Sequence, residues 1–249
     1  MCGRFSLFTP VHETALQTQS EPLSDLTPFE PSWNVAPQSL IPVATQTGVN
    51  GEEHVPRHFR LMRWGLRPSW AKASHREPIN ARVETLDEKP MFRSAARHRR
   101  GFVPADGWFE WMTTPQGKTP WYHRRSDGKP SFFAVIWERW STEHEHLESC
   151  VVLTQAANDD CRDVHDRMPV ILDTDAVSPW LEHGVLPAGL SNGTLDRYPV
   201  GRAVNKVSEN HPGLIRPIPR LFDQEYGVLV PSSRFVCGVE SKEPSSIRL

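Results

Sequence analysis

The sequence predicts a mainly antiparallel α+β domain. Short alternating or apolar runs recur along the chain, each bounded by Pro, Gly, Asn or Asp, and few stretches carry the helical period. No segment repeats. A length of 249 residues suffices for a full core in one domain, with room for a small appendage. The 23 Pro and 9 Trp, against only 3 Tyr, fit many turns and short strands.

Residues 11–19 read as a short helix with apolar positions at Val11, Ala15 and Leu16. Residues 21–31 are rich in Pro and acid and read as loop. A strand is expected at 40–44. Residues 45–56, with Gly48, Asn50 and Gly51, read as a hairpin-type loop leading to a strand at 59–65. Residues 66–78 are irregular and hold Trp70 in an exposed setting. Residues 91–100 suit a helix with Arg93, Arg97 and Arg100 on one side. Residues 101–111 read as strand, tight turn at Ala105-Asp106-Gly107, and strand. Residues 113–118 form another turn. Further strands are expected at 121–125, 131–137 and 150–154. Residues 159–165 are helical or turn-like and lead to a short strand at 168–172. A helix at 175–182 and a final strand or extended segment at 198–207 follow. From about Leu221 the period is lost and the chain ends in a polar tail.

No run reaches 18 apolar residues, so no membrane association is expected. No basic segment followed by an apolar run opens the chain, which argues against a secretory signal. Four Cys (Cys2, Cys150, Cys161, Cys237) make no disulfide framework, and a cytoplasmic, reducing location is expected. The net charge of −2 conceals an asymmetry. Residues 57–100 hold twelve Lys or Arg and four acids, which is +8 and leaves −10 for the rest. Such a segment is either a footprint for a polyanion or a solvated basic face.

The residue with the most chemistry is Cys2. Removal of Met1 would place an α-amine and a thiol on adjacent carbons. An α-amine titrates near about 7.7–8.0 against about 10.4 for Lys, so its uncharged fraction at neutral pH is roughly a hundred times larger. It can condense with an aldehyde to a Schiff base, and the thiol can then add to the imine and close a thiazolidine. The alternative is a Cys at a frayed terminus. Four other polar residues stand in apolar or tightly turned contexts: Asn80, Glu110, Thr154 and His165. Glu110 between Phe109 and Trp111 reads either as a desolvated proton carrier or as a paired edge-strand residue. His165 reads either as a proton carrier or as a structural histidine bonded to backbone.

Cys161 and His165 are four apart and His144-Glu145-His146 is a polar cluster, yet CxxC and HExxH motifs are absent. No metal and no cofactor are expected. Neither a Gly-rich phosphate loop nor GxSxG occurs.

In order along the chain stand MCGRF at 1–5, WNVAP at 33–37, WGLRPSW at 64–70, INARVET at 79–85, MF at 91–92, FVPADGWFEW at 102–111 and VHDRMPVIL at 164–172. Together they resemble the SRAP family, the SOS response-associated peptidase-like proteins. The match runs from Cys2 to about Pro219, so the SRAP domain is expected at 2–220, with a partly disordered extension at 221–249 onto which nothing is carried. The resemblance implies a barrel-like β-structure with flanking short helices and a positive groove. It implies a covalent sensor of abasic sites in single-stranded DNA, acting as a monomer through a Cys2 thiazolidine. It carries catalytic roles onto Cys2, Asn80, Glu110 and His165. Arg4, Asn34, Arg82 and Thr154 fall on matching positions in or near the pocket. Trp70 joins them as a stacking surface for bases, although the loop 71–77 is longer than the family pattern.

The implied chemistry agrees with the residues. The Cys2 amine attacks the C1′ aldehyde of the opened sugar, and ring closure by the thiol protects the strand from the β-elimination that an open imine favours. Proton transfers fall to Glu110 and His165, and Asn80 orients the sugar or the amine. One rival is a cysteine peptidase using a Cys2–His165 pair, with removal of residues ahead of Cys2 as its firm task. The other is a nucleic-acid-binding module without chemistry.

Overall fold

The computed structural model describes residues 2–21, 29–46, 56–72, 77–115 and 117–218. The expected tail at 221–249 and most of the expected loop at 45–56 lie outside the described residues. Strands β1 (Phe5–Leu7), β2 (Ser20–Glu21), β3 (Ser32–Val35), β4 (Leu40–Gln46) and β5 (Arg57–Trp64) come first, with helix α1 (Val11–Gln17) between β1 and β2. Next are β6 (Asn80–Arg82), helix α2 (Pro90–His98), β7 (Arg100–Ala105), β8 (Gly107–Thr114) and β9 (Gly117–Arg125). Then come β10 (Ser131–Ser141), β11 (His146–Ala156), β12 (Arg167–Pro169) and β13 (Ile171–Leu172). Helix α3 (Thr174–Ser178), a π-turn at Pro179–His183 and β14 (Leu195–Pro199) follow, with a 3-10 turn at Arg202–Asn205.

Five strands close into a barrel. β11 pairs with β10, β10 with β7, β7 with β4 and β4 with β5, all antiparallel. β5 then meets β11 in parallel through Arg63↔Ser149 and Trp64↔Cys150, which completes the ring. This is the α+β, mainly antiparallel, barrel-like class that the sequence and the resemblance predict. A second, antiparallel sheet runs β14-β9-β8-β1-β3. Apolar alternation on both sheets feeds one shared core, in which Phe5 meets the edges of Trp64 and Phe133 at 5.2 and 6.1 Å. A second cluster lies under the helices, where Phe92 and Ala95 of α2 and Val177 of α3 pack on Phe102, Phe132 and Leu153.

Several expectations change. The strands on either side of Asp106 do not pair with each other: β7 belongs to the barrel and β8 to the second sheet. Asp106 makes the corner, its carboxylate accepting from the N–H groups of Phe8 and Thr9 at 2.6 and 2.9 Å. Gly107 is needed there, because an added Cβ would collide with the His123 carbonyl and the Tyr122 ring. Arg100 is not on the helix face with Arg93 and Arg97. It opens β7, and its guanidinium caps the end of α2 by donating to the Ala96 and Arg97 carbonyls. Glu21 is in a two-residue strand rather than loop. The expected extended run at 198–207 is split between the end of β14 and the 3-10 turn. Glu110 lies on β8 between β9 and β1, so it is not an edge-strand residue.

Candidate functional site

The site forms where the N-terminal segment enters the second sheet. Phe5 stands opposite Trp108 on β8, and the Phe109 N–H donates to the Arg4 carbonyl at 2.9 Å. This pairing draws Cys2 into the shared core, fully buried. Asn80, which starts β6, reaches across and donates from Nδ2 to the Cys2 carbonyl at 2.7 Å. β6 is itself held in parallel against β11 through Val152↔Asn80 and Thr154↔Arg82. The Asn80 amide therefore sets the backbone of Cys2 from a strand of the other sheet.

Burial pushes the Cys2 thiol well above its ordinary range, and the Glu110 charge pushes it further. Glu110 is 3% exposed, and burial lifts its carboxyl to about 7, against the pull of the positive amino terminus. Near neutrality the group is then present in both forms. His165 ends the turn at 158–165, where its N–H bonds the Cys161 carbonyl at 3.2 Å. Its Nδ1 accepts the Arg167 N–H at 3.0 Å and lies 3.0 Å from Asp166 Oδ1. Nδ1 cannot accept from Arg167 and donate to Asp166 together. Burial lowers the His165 pKa and the positive amino terminus lowers it further, so the neutral ring with Nδ1 accepting and the proton on Nε2 is the form at neutral pH.

Arg167 fixes the element behind His165. It is buried, grips Glu84 through two bonds of 2.6 and 2.9 Å, and donates to the Thr154 carbonyl at 2.6 Å. The guanidinium holds the Glu84 carboxyl below the usual range. A pocket of about 420 Å³ opens in front of Glu110 and His165, walled by Trp111, Lys118 and Asn205. Trp111 Nε1 donates to Asn205 Oδ1 at 2.8 Å. Sequence reasoning missed these three wall residues. Trp111 had a signal in its place beside Glu110, whereas Lys118 and Asn205 had none.

The expected DNA contacts divide in two. Trp70 is 60% exposed and Arg82 is exposed on β6. The other three make bonds within the protein. Arg4 Nη1 donates to Asn34 Oδ1 at 2.7 Å and to the Val204 carbonyl at 2.8 Å. Asn34 is buried, and its amide donates to the carbonyls of Lys206 and Glu209 at 3.0 and 2.7 Å. The pair clamps the loop that carries Asn205. Thr154 is buried, with Oγ1 3.4 Å from the Ala81 carbonyl.

The basic segment is not a uniform charged face. Arg57, Arg60 and Arg99 pair with Glu182, Glu148 and Glu138, acids from outside the segment, at 3.8, 2.9 and 2.5 Å. Arg63 and Arg67 share Glu77. Lys72, Arg82, Lys89, Arg93 and Arg97 remain exposed. Among the described residues no three His, Cys, Asp or Glu side chains gather into a metal-binding group, and no helix is long and apolar enough to cross a membrane.

Comparison with known proteins places the chain. The sequence model of the family described as SOS response associated peptidase (SRAP) matches residues 1–207. The chain is 34% identical over 227 residues to the abasic site processing protein YoqW of Bacillus subtilis, covering 86% of this chain and 99% of that protein. It is 31% identical over 236 residues to the abasic site processing protein YedK of Escherichia coli, covering 88% and 100%. A crystal structure of a protein from Bacteroides thetaiotaomicron shares the fold, with a TM-score of 0.74 at 22% identity, covering 88% of this chain and all of that one.

Proposed function

The chain belongs to the SOS response associated peptidase family, and from that premise we propose that it processes abasic sites in single-stranded DNA, trapping them as a thiazolidine on Cys2. The observation that carries the proposal is the grip of Asn80 on the Cys2 carbonyl beside a carboxyl that titrates near neutrality. Two relatives named abasic site processing proteins, aligned over nearly their whole length, support it.

After Met1 is removed, the Cys2 amine attacks the aldehyde carbon C1′ of the opened sugar. The carbinolamine loses its hydroxyl as water when a proton is delivered, which protonated Glu110 can supply. The iminium nitrogen keeps its remaining hydrogen, the thiol sulfur bonds to C1′, and the thiol proton returns to the Glu110 carboxylate, so the net products are the thiazolidine and one water. His165 with its proton on Nε2 stands at the same pocket and can serve the sugar oxygen during ring opening. The pocket wall of Trp111 and Lys118 offers an aromatic face and a cation, which suit an unstacked base and a phosphate.

The peptidase reading is less well supported. A nucleophilic Cys works as a thiolate, with its pKa lowered by a cation or helix terminus. Cys2 shows the opposite: burial and the Glu110 carboxylate both hold its proton on. That suits a thiol which acts only after the amine has bound the substrate.

The test is incubation of the Met1-free protein with single-stranded DNA containing one abasic site. A denaturant-resistant, heat-stable band is expected. Cys2→Ala, or an uncleaved N-terminal tag, should abolish it. A full-yield stable adduct from the tagged protein overturns the thiazolidine, and cleavage of peptides without any adduct on abasic DNA favours the peptidase.

A further inference from the structure

His123 lies on β9, 1% exposed, with its ring stacked on Trp108 at 4.9 Å between centroids. Neither ring nitrogen meets a partner at full hydrogen-bond geometry among the described residues, although the Trp108 and Trp121 backbones lie close enough to favour a ring N–H. Burial holds its pKa at about 3, with the Arg197 charge acting in the same direction. The ring is therefore neutral, with one nitrogen needing an acceptor and the other able to accept. Strand register fixes its neighbours. Trp108 and Arg197 stand directly opposite His123, and Glu110 stands opposite Trp121 two residues away. Opposed residues and residues two apart share a sheet face, so Glu110, Trp121, His123 and Arg197 front one space. Trp121 Nε1 and Arg197 Nε are also buried there without hydrogen-bond partners. Both can only donate. With a Trp108 or Trp121 backbone carbonyl to take the ring N–H, the accepting ring nitrogen and these two donors are left over, and water, which can accept from both donors and donate in turn, is the usual partner of such groups.

We propose that a buried water, held by His123 with Trp121 Nε1 and Arg197 Nε, hydrogen-bonds Glu110, and that His123 is thereby a positioning residue for the proton carrier. The proposal rests on the reading of Glu110 as that carrier. Facing Glu110 are the amino terminus, the Cys2 thiol, Cys161 and Asp166, with His165 and Lys118 on the same pocket. Facing His123 are Arg197 and His165. Substituting His123 leaves all of these in place. A water donating to the carboxylate favours its ionised form. His123→Leu, of similar size and without polar atoms, removes the water's anchor and raises the pH at which Glu110 ionises. Losing one hydrogen bond changes an ionisation equilibrium about three- to tenfold, a shift of about 0.5–1 pH unit.

The experiment is single-turnover adduct formation across pH 5–9 for wild type, His123→Leu and His123→Gln, with a melting curve for each. Expected is an upward shift of about 0.5–1 pH unit in the Glu110 limb for His123→Leu, with His123→Gln, which can donate and accept, restored to within about 0.3 of wild type. A His123→Leu limb that coincides with wild type overturns the proposal. A wild type that forms adduct without any such limb, or forms none, instead overturns the reading of Glu110 on which the proposal rests. A crystal structure of the wild-type protein should show ordered water within hydrogen-bonding distance of His123. A dry imidazole there refutes the proposal even if the Leu variant does not fold.

Discussion

Replacing Glu110 by Gln should make the protein slower and more stable at once. The carboxyl is 3% exposed, and burial lifts it from 4.5 to about 7. In the unfolded chain it ionises near its ordinary value, so between pH 4.5 and 7 the folded state holds the extra proton. Stability from this group is full below pH 4.5, falls through that window, and is gone above about 7. The shift corresponds to about 3 kcal/mol, the cost of carrying a buried carboxylate at pH 8. Glu110→Gln keeps the shape and removes the ionisation. At pH 8 the variant should exceed wild type by up to about 3 kcal/mol, or roughly 6–12 °C in Tm for a chain of this size. Bonds needed by the new amide reduce the gain. At pH 4 the two should nearly coincide. Adduct formation should be at least about tenfold slower, because the proton carrier is gone. The assay is a set of thermal melts from pH 4 to 9 for both proteins, beside single-turnover adduct formation at each pH. A Tm difference that does not change with pH, together with adduct formation at the wild-type rate, would refute the assignment and leave Glu110 as a core residue.

Asn80→Ala removes the 2.7 Å bond to the Cys2 carbonyl and should slow adduct formation about tenfold, the equivalent of roughly one hydrogen bond. A wild-type rate in a single-turnover assay would show that Cys2 is placed without it. In titrations of single-stranded DNA against salt, exposed Arg82→Ala should flatten the log–log slope by about 0.7, while Arg60→Ala, whose guanidinium already holds Glu148 at 2.9 Å, should leave it unchanged. Equal loss of slope in both variants would restore the basic segment as one continuous DNA-binding face. Arg167→Lys cannot reproduce the two-bond grip on Glu84 or the bond to the Thr154 carbonyl and should cost about 2 kcal/mol in denaturant melts at pH 7. Because Arg167 holds the Glu84 carboxyl low, part of that difference should vanish as pH falls through the depressed carboxylate range. A difference that stays constant down to pH 2 would assign the loss to packing alone.

Much of this protein is local and therefore legible in its residues. An α-amine beside a thiol follows from Cys2 at the second position, and no packing is needed to see it. The strands at 40–44, 59–65, 121–125 and 131–137 and a helix over most of 91–100, ending at His98, follow from alternation and helical period, which are properties of neighbouring residues. The ordered set of motifs shared with the family brought Asn80, Glu110 and His165 forward; Asn80 reaches the Cys2 carbonyl from the barrel sheet, and Glu110 and His165 line one pocket. Tertiary structure decided whatever depends on residues distant in sequence. Two strands joined at Asp106 look like a hairpin, but their partners are β10 and β9 in different sheets. Barrel closure depends on a parallel contact between Arg63 and Ser149 that no periodicity reports. The +8 count took Arg57, Arg60 and Arg99 as available cations, and only folding brings Glu182, Glu148 and Glu138 to them. Arg4 and Asn34 stand on matching positions in the sequence, yet their bonds reach the carbonyls of the 204–209 loop almost two hundred residues away. The state of each titratable group is decided the same way. Glu110 rises because the sheets bury it, and His165 keeps its proton on Nε2 because the Arg167 N–H occupies Nδ1. Residue type sets which protons can move, and burial and the hydrogen bonds made in the folded chain set the pH at which they do.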